Sequence, residues 1–490
     1  ATSTVGAEEG DHLAGCHLEV DAGHRLEIAV ANVEFAHRDA VALRCSSHDL
    51  AGYLGGVIDL HQLRADPEGV KAALARRGVE AAVLDEVLAL DAKHRGLLGS
   101  AEELRHQVKA ISKEVGQAKR SGDEAEAERL AAESRSLGEQ ERAVSQQADD
   151  AFAEVRAALL VIPNLPAAET PDGLDESCNV ELRRWWPGME AGSPEPTYAE
   201  HQRVAHWDVG EELGILDLER GAAIAGSMFP MFRGDGSRLL RALSAFALDA
   251  HADAYEEIRP PTFALTEVLT ATGHLPKFSE EAYAIERDDL WAIPTAEVPL
   301  TSMHRGEIVA EADLPLRFTA LTACFRREAG AAGRDTRGLL RVHEFDKVEL
   351  FAYTTPEQAH EVHADVLARA EAILRALGIT YRVLDLCCGD IGGSARRTFD
   401  LEAYSPGVDR WLEVSSVSWF GDYQARRAQV RYRPEGGGQP QLTHTVNGSA
   451  LAWARIWAVL VEQGRQADGS VQLPTVLSPY LGGRTTISAG

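Results

Sequence analysis

CFRREAGAAGRDTRGLLRVHEFDKVE, residues Cys324–Glu349, carries five arginines (326, 327, 334, 337 and 341) and only two acids between Arg326 and Arg341. The chain around it is strongly acidic, with 49 Lys and Arg against 76 Asp and Glu and a net charge of −27. Glycines at 330, 333 and 338 mark the middle of the stretch as a loop. Strand-like runs flank it: LRFTALTACFRRE (316–328) before and HEFDKVELFAY (343–353) after. A basic hairpin of this kind is either a solvated surface loop or a grip for phosphate, because guanidinium forks meet phosphate oxygens two at a time.

Further strand-like runs follow on both sides: LWAIPTAEVPL (290–300), TYRVLDLCCGD (380–390), RTFDLEAYSP (397–406), RWLEVSSVSWF (410–420) and LTHTVNGSALA (442–452). Clustered strands with few long helices between them predict a mainly antiparallel sheet flanked by helices, not a doubly wound parallel one. Upstream the period changes. Val83, Val87, Leu90, Leu97, Ala101, Leu104, Val108, Ile111, Val115 and Ala118 recur at spacings of 3 and 4, with His94 in step, which is a heptad seam. RSGD (120–123) supplies a turn, and a weaker seam runs through Leu130, Leu137, Val144, Ala148, Ala151, Val155, Ala158 and Ile162. Two helices of ~36 residues, each roughly 55 Å long, predict an antiparallel coiled-coil hairpin. The proline-rich Ile162–Gly173 ends it. The expected fold class is therefore α+β. The expected domains are an extension over 1–56 without a motif (a candidate hairpin at HLEV and RLEIAVANVEF), a helical arm over 57–165 turning near 120–124, and a sheet domain over 166–490.

A length of 490 residues with 45% hydrophobic and 26% charged side chains suits two or three globular domains. The acidic balance argues against non-specific coating of nucleic acid. One local stripe runs the other way: Arg105, Lys109 and Lys113 lie at i, i+4 and i+8, with Lys119 and Arg120 near the tip and Glu114 the single acid among them. Such a stripe can track an RNA backbone without reading bases, or simply be a solvated helix face. The six cysteines (16, 45, 178, 324, 387 and 388) form no CxxC pair, so neither a zinc site nor a disulfide framework is expected. ATSTVGAEEGDH lacks the basic and apolar regions of a secretory signal, and no run approaches the ~20 apolar residues of a membrane span. These features predict a cytoplasmic protein that makes no membrane contact.

Taken whole, FRREAGAAGRDTRGLLRVHEFDKVE closely resembles motif 2 of the bacterial-type seryl-tRNA synthetases, a family of class II aminoacyl-tRNA synthetases. Other segments resemble the family in the same order. VIDLHQLRADPEGVKAALARRG (57–78) is similar to its usual amino terminus, and RPP (259–261) falls at motif 1. IPTAEVPLT (293–301) resembles the serine-binding segment, LEVSSVSWFGDYQARR (412–427) the Glu-Ile-Ser-Ser segment with Val414 for isoleucine, and NGSALAWAR (447–455) motif 3. The resemblance implies a class II catalytic domain behind a tRNA-binding arm, and with it serine--tRNA ligase activity: serine and ATP would form seryl-adenylate, and the seryl group would pass to tRNA(Ser), or to tRNA(Sec) where that is present. It implies Arg326 and Arg455 as catalytic arginines. It implies ATP contacts from Arg326, Arg327, Glu328, Val342, Glu413, Val414, Ser415, Ser416 and Arg455, with Mg²⁺ on Glu413 and Ser416. Serine would meet Thr295, Ala296, Glu297, Arg326, Glu349 and Ser449, and tRNA would meet Arg105, Lys109, Lys113, Lys119 and Arg120. A homodimer through the catalytic domain is implied as well.

The chain departs from the family's wording at Val417-Ser418-Trp419, where Cys-Ser-Asn is usual, at LCCGD for LCTGD, and at Ala450 and Trp453 for glycine and valine. These changes are expected to bear on the pocket wall. Two other activities are compatible with such a fold: an amino acid:carrier-protein ligase, and a non-catalytic RNA-binding paralogue. Ligases of the first kind lack the arm. Paralogues of the second kind lose the motif arginines, and Arg326 and Arg455 are both in place.

Overall fold

The computed structural model describes residues 59–331 and 336–488. Segment 1–56, with its candidate hairpin, and Arg334 of the basic loop lie outside the described residues. Two short helices, α1 (Leu60–Ala65) and α2 (Pro67–Ala75), lead into the long pair α3 (Ala81–Ser121) and α4 (Glu124–Val161). The turn between them needs a left-handed residue, which Gly122 supplies at φ 80°. Asp123 then caps α4 by accepting the Glu126 N–H.

Leu84, Val87 and Ala101 of α3 and Ala127, Leu130, Ala148, Ala151 and Val155 of α4 are buried along this arm. Val83, predicted on the seam, is exposed; the register at the base runs through Leu84 and Asp91 instead. Asp91 holds a core position because Arg64 of α1 and Arg95 close on its carboxylate at 2.5 and 3.0 Å. A neutralised acid at a core position is invisible to hydrophobic periodicity. Of the basic stripe, Lys109, Lys113, Lys119 and Arg120 are exposed. Arg105 is turned across the pair, 2.6 Å from Glu141 of α4.

The main sheet has strands β1 (Val180–Trp185), β2 (Glu256–Glu257), β3 (Leu316–Phe325), β4 (Glu344–Thr354), β5 (Tyr381–Asp385), β6 (Arg397–Ser405), β7 (Arg410–Gly421) and β8 (His444–Ala452). They lie in the order β1-β5-β6-β7-β8-β4-β3-β2, antiparallel except for the short parallel pair β2 and β3. Alternation gives the sheet two unlike faces. Lys347, Glu349, Ser416, Ser418, Asn447 and Ser449 turn to one side, where they line a cleft. Val417 and Gly448 turn to the other, against α7 (Ala359–Ala376): a Cβ on Gly448 would come within 2.5 Å of Val366.

One predicted strand is shorter than its pattern. In LWAIPTAEVPL only Leu290–Ala292 pairs, and Glu297–Thr301 forms a helix, α6. Pro294 lacks the N–H that a continuing ladder requires. Pro299 falls in the first helical turn, where no N–H is needed.

The base of the arm is fastened to the cleft. Just beyond α2, Arg77 donates to the carbonyls of Asn164 and Ile391 at 2.8 Å, Gly392 at 2.9 Å, Ala395 at 3.2 Å and Gly393 at 3.4 Å. Burial without a carboxylate partner brings its guanidinium down to about 10. Asn164 adds amide donations to Ser394 and Phe420. Residues 392–395, so held, form one wall of the cleft.

Candidate active site

The cleft encloses about 310 Å³. It is lined by Thr295, Glu297, Arg326, Glu328, Val342, Glu349, Glu413, Val414, Ser415, Ser416, Ser449 and Arg455. Segments more than 150 residues apart in the chain thus meet in one place. Ala296 and Arg327 lie outside this lining. Ala296 is fully buried in a satellite core with Leu300, Phe318 and Ala320, and Arg327 is exposed beyond the end of β3.

At the deep end two carboxylates stand together. Glu349 is 0% exposed and Glu297 8%. The Asn447 amide donates to both, at 3.1 Å to Glu349 and 2.9 Å to Glu297. Thr295 Oγ1 donates to Glu349 at 3.0 Å, and Lys347 Nζ lies 2.5 Å from the same carboxylate. Gln424 donates to Glu297 at 2.6 Å, its own carbonyl held by Thr445 Oγ1 at 2.7 Å. Two acids face a single lysine here. Burial first, and then the neighbouring Glu349, push the Glu297 carboxyl up to about 7.

The middle of the cleft is cationic. Arg326, one residue past β3, lies 5.1 Å over the Phe345 ring and has no acidic partner among the described residues. Beside it His274 is brought down to about 4 by burial and by the charges of Arg326 and Lys347. At the outer end Glu328, at φ 50°, takes the Arg341 guanidinium at 2.5 Å. Arg455 sits in α8 (Trp453–Gln463) and donates to the Glu413 carbonyl at 2.7 Å and the Leu340 carbonyl at 3.3 Å.

A bulge shapes the wall at β7. Leu401 pairs with Ser415 and Glu402 with Glu413, so Val414 is an extra residue that re-aims its neighbours towards the cleft. Ser415 Oγ ties this wall to β8 through the Ser449 carbonyl at 2.6 Å. The departures from family wording lie elsewhere. Val417 is fully buried on the α7 face; Trp419 packs on His360 and under Arg396; Trp453 meets Phe232 edge-on. None of the three lines the cleft. The expectation that they bear on the pocket wall is corrected by strand alternation, which turns Val417 and Trp419 away. Lys347, Asn447, Gln424 and His274 were assigned no role from sequence. Lys347 and Asn447 were within reach, because each lies inside a quoted motif at a strand position of cleft parity; Gln424 sits in the short helix Tyr423–Ala428, and only the fold brings it to Glu297.

Residues 57–166 match the model of the seryl-tRNA synthetase N-terminal domain, and 280–464 that of the class II core domain of tRNA synthetases (G, H, P, S and T). The serine--tRNA ligase of Gemmatimonas aurantiaca is 47% identical over 429 residues, 86% of this chain and 98% of that protein. The chain belongs to the seryl-tRNA synthetase family. Another member, from Acidithiobacillus ferrooxidans, is 46% identical over 88% of this chain and all of its own length. Among solved structures, the seryl-tRNA synthetase of Pyrococcus horikoshii complexed with ATP superposes with a TM-score of 0.80 at 34% identity, covering 88% of this chain and all of that one. No helix among the described residues is long and apolar enough to cross a membrane.

Proposed function

We propose that this seryl-tRNA synthetase activates serine with ATP and transfers the seryl group to tRNA(Ser), in the cytoplasm. The observation that carries the reading is the buried pair Glu297 and Glu349, with a single lysine, Lys347, on Glu349 and Arg326 standing beyond without an acidic partner among the described residues. An amino acid fits that order of charges: its ammonium supplies the missing cation at the acids, and its carboxylate meets Arg326. The serine hydroxyl finds polar partners in Thr295, Glu349 and Ser449. A site built to hydrogen-bond a hydroxyl discriminates strongly against the analogue lacking it.

Arg326 then bridges the serine carboxylate and the α-phosphate. The carboxylate oxygen attacks that phosphorus in line, the new O–P bond forms as the bond to pyrophosphate breaks, and Arg455 holds the departing phosphates. Positioning and charge stabilisation supply most of the acceleration. Val342 borders the adenine and Glu328 presents its carboxylate to it. In the second step the terminal ribose hydroxyl of tRNA takes the seryl group and releases AMP, with the arm's exposed Lys109, Lys113, Lys119 and Arg120 holding the tRNA backbone.

Glu413 and Ser416 suit a Mg²⁺ ion. Asp400 stands opposite Ser416 across the β6–β7 ladder, and its Oδ1 is buried without a hydrogen-bond partner. Burial and nearby Glu413 raise that carboxyl well above the usual range. Such an oxygen-rich wall matches a hard cation whose remaining ligands are phosphates and water. When bound, the ion would neutralise phosphate charge. A homodimer through the catalytic domain is supported by RPP at 259–261 and by the exposed Phe263 and Leu265 that follow it.

The test is serine-dependent exchange of pyrophosphate into ATP, with alanine and threonine as controls, followed by charging of tRNA(Ser). No exchange with serine refutes the reading. Exchange without charging indicates a ligase that loads a carrier protein instead.

A further inference from the structure

Behind the cleft, a histidine–glutamate pair holds the returning end of the arginine hairpin. His206 opens helix α5 (His206–Glu212) and Glu462 lies in the last turn of α8; both are fully buried. Glu462 Oε1 accepts the His206 backbone N–H at 3.0 Å and stands 2.8 Å from its Nδ1. The other oxygen accepts the Gly407 N–H at 3.1 Å and the Ser405 hydroxyl. Across the ring, the Leu339 backbone N–H donates to His206 Nε2 at 2.9 Å. A backbone amide can only donate, so Nε2 carries the lone pair and the ring proton sits on Nδ1, aimed at Glu462.

Leu339 belongs to the site: it lines the cleft together with Leu340, Arg341 and Val342. Gly338, just before it, takes φ +61°, and a Cβ there would lie 2.5 Å from both His206 Nε2 and the Trp207 ring. The Arg337 guanidinium lies 5.0 Å over that same ring. One residue on, the Leu340 carbonyl accepts from Arg455. Helix α8 therefore grips the returning segment twice, directly through Arg455 and, two turns later, through Glu462 with His206 as intermediary.

We propose that His206 is a positioning residue for ATP: its neutral ring sets the place of Leu339, and through it the places of Arg341 and Val342 at the adenine end. This rests on reading the cleft as an ATP site. Two substitutions separate the role from simple packing. In His206→Asn the amide nitrogen takes the place of Nδ1 and keeps Glu462, but nothing reaches Leu339. In His206→Gln the side-chain oxygen reaches the place of Nε2 and accepts from Leu339, while Glu462 keeps three of its four donors.

Calorimetric titration with ATP is the readout, with Tm measured beside it. His206→Gln should bind ATP within about threefold of the unsubstituted protein, and His206→Asn about tenfold more weakly, the weight of one hydrogen bond. The KM for serine should change little in either. Equal weakening in both variants, or unchanged ATP affinity in a folded His206→Asn protein, overturns the proposal. Should His206→Asn not fold, Gly338→Ala crowds the same contact from the other side. It should weaken ATP where His206→Gln does not, and the reverse pattern overturns the proposal. Absence of serine-dependent exchange in the unsubstituted protein would count against the functional reading alone, since ATP binding is measured without serine.

Discussion

Glu297→Gln should flatten the loss of this protein's stability between pH 5 and 8 while disabling it. The folded state holds the Glu297 proton up to about pH 7, whereas an unfolded glutamate releases it near 4.5. Between those values the native state binds more protons than the unfolded one, so stability falls as pH rises, and the loss is complete above pH 7. At about 1.4 kcal/mol per tenfold in the proton equilibrium, that loss is on the order of 3 kcal/mol. Glutamine has no proton to lose, although its NH2 must face one of the two amide donors that Glu297 accepts, a penalty that does not vary with pH. The variant should start below the unsubstituted protein in Tm at pH 5 and gain a few degrees on it by pH 8. On the proposed function the same change removes an anion from a buried pair with the serine ammonium. Breaking such a pair costs about 3 kcal/mol or more, so kcat/KM for serine in pyrophosphate exchange should fall at least about a hundredfold. In the unsubstituted enzyme kcat/KM should climb as pH rises through about 7, as Glu297 becomes the carboxylate that the ammonium requires. Thermal melts and exchange assays from pH 5 to 8 check both halves. A variant that loses Tm relative to the parent as pH rises would refute the account of the buried charge.

Three further outcomes are expected. Arg326→Ala should lower exchange kcat/KM by about a hundredfold to a thousandfold, since on the proposed function its charge acts on the reacting phosphate. The double substitution Lys109→Ala, Lys113→Ala should leave exchange untouched and raise the KM for tRNA, with the logarithmic salt dependence of tRNA binding shallower by about 1.5, two phosphate contacts fewer. Equal loss in both assays would contradict that division of labour. Arg77→Lys replaces five donations to the wall 391–395 and Asn164 by at most three, and should destabilise the protein by roughly 3 kcal/mol, read as a lower midpoint in urea.

Much of this molecule is legible in the chain because its signals are local. Heptad spacing gives the arm, Gly122 and Asp123 give its turn, and alternation gives β4, β7 and β8. The arginine hairpin announces itself by charge against an acidic background. The misreadings have local causes too. Pro294 stops the strand ahead of α6 within the apolar run itself, and Asp91 holds a core position because Arg95, one turn on, and Arg64 close on its carboxylate.

What the sequence by itself determined is the list of parts: an arm, an antiparallel sheet, the arginines and acids of a nucleotide-dependent ligase, and the family that combines them. Tertiary structure decided which of those groups share one dielectric environment. Glu297 and Glu349 are 52 residues apart in the chain, and only the juxtaposition of α6 with β4 and β8 makes one amide, Asn447, serve both. It also turned Trp419 away from the cleft, carried Arg77 from the arm into the wall of the site, and brought His206 against Leu339. Burial, pKa and hydrogen-bond partnership are properties of surroundings, and the surroundings of a residue in a sheet come mostly from distant parts of the chain.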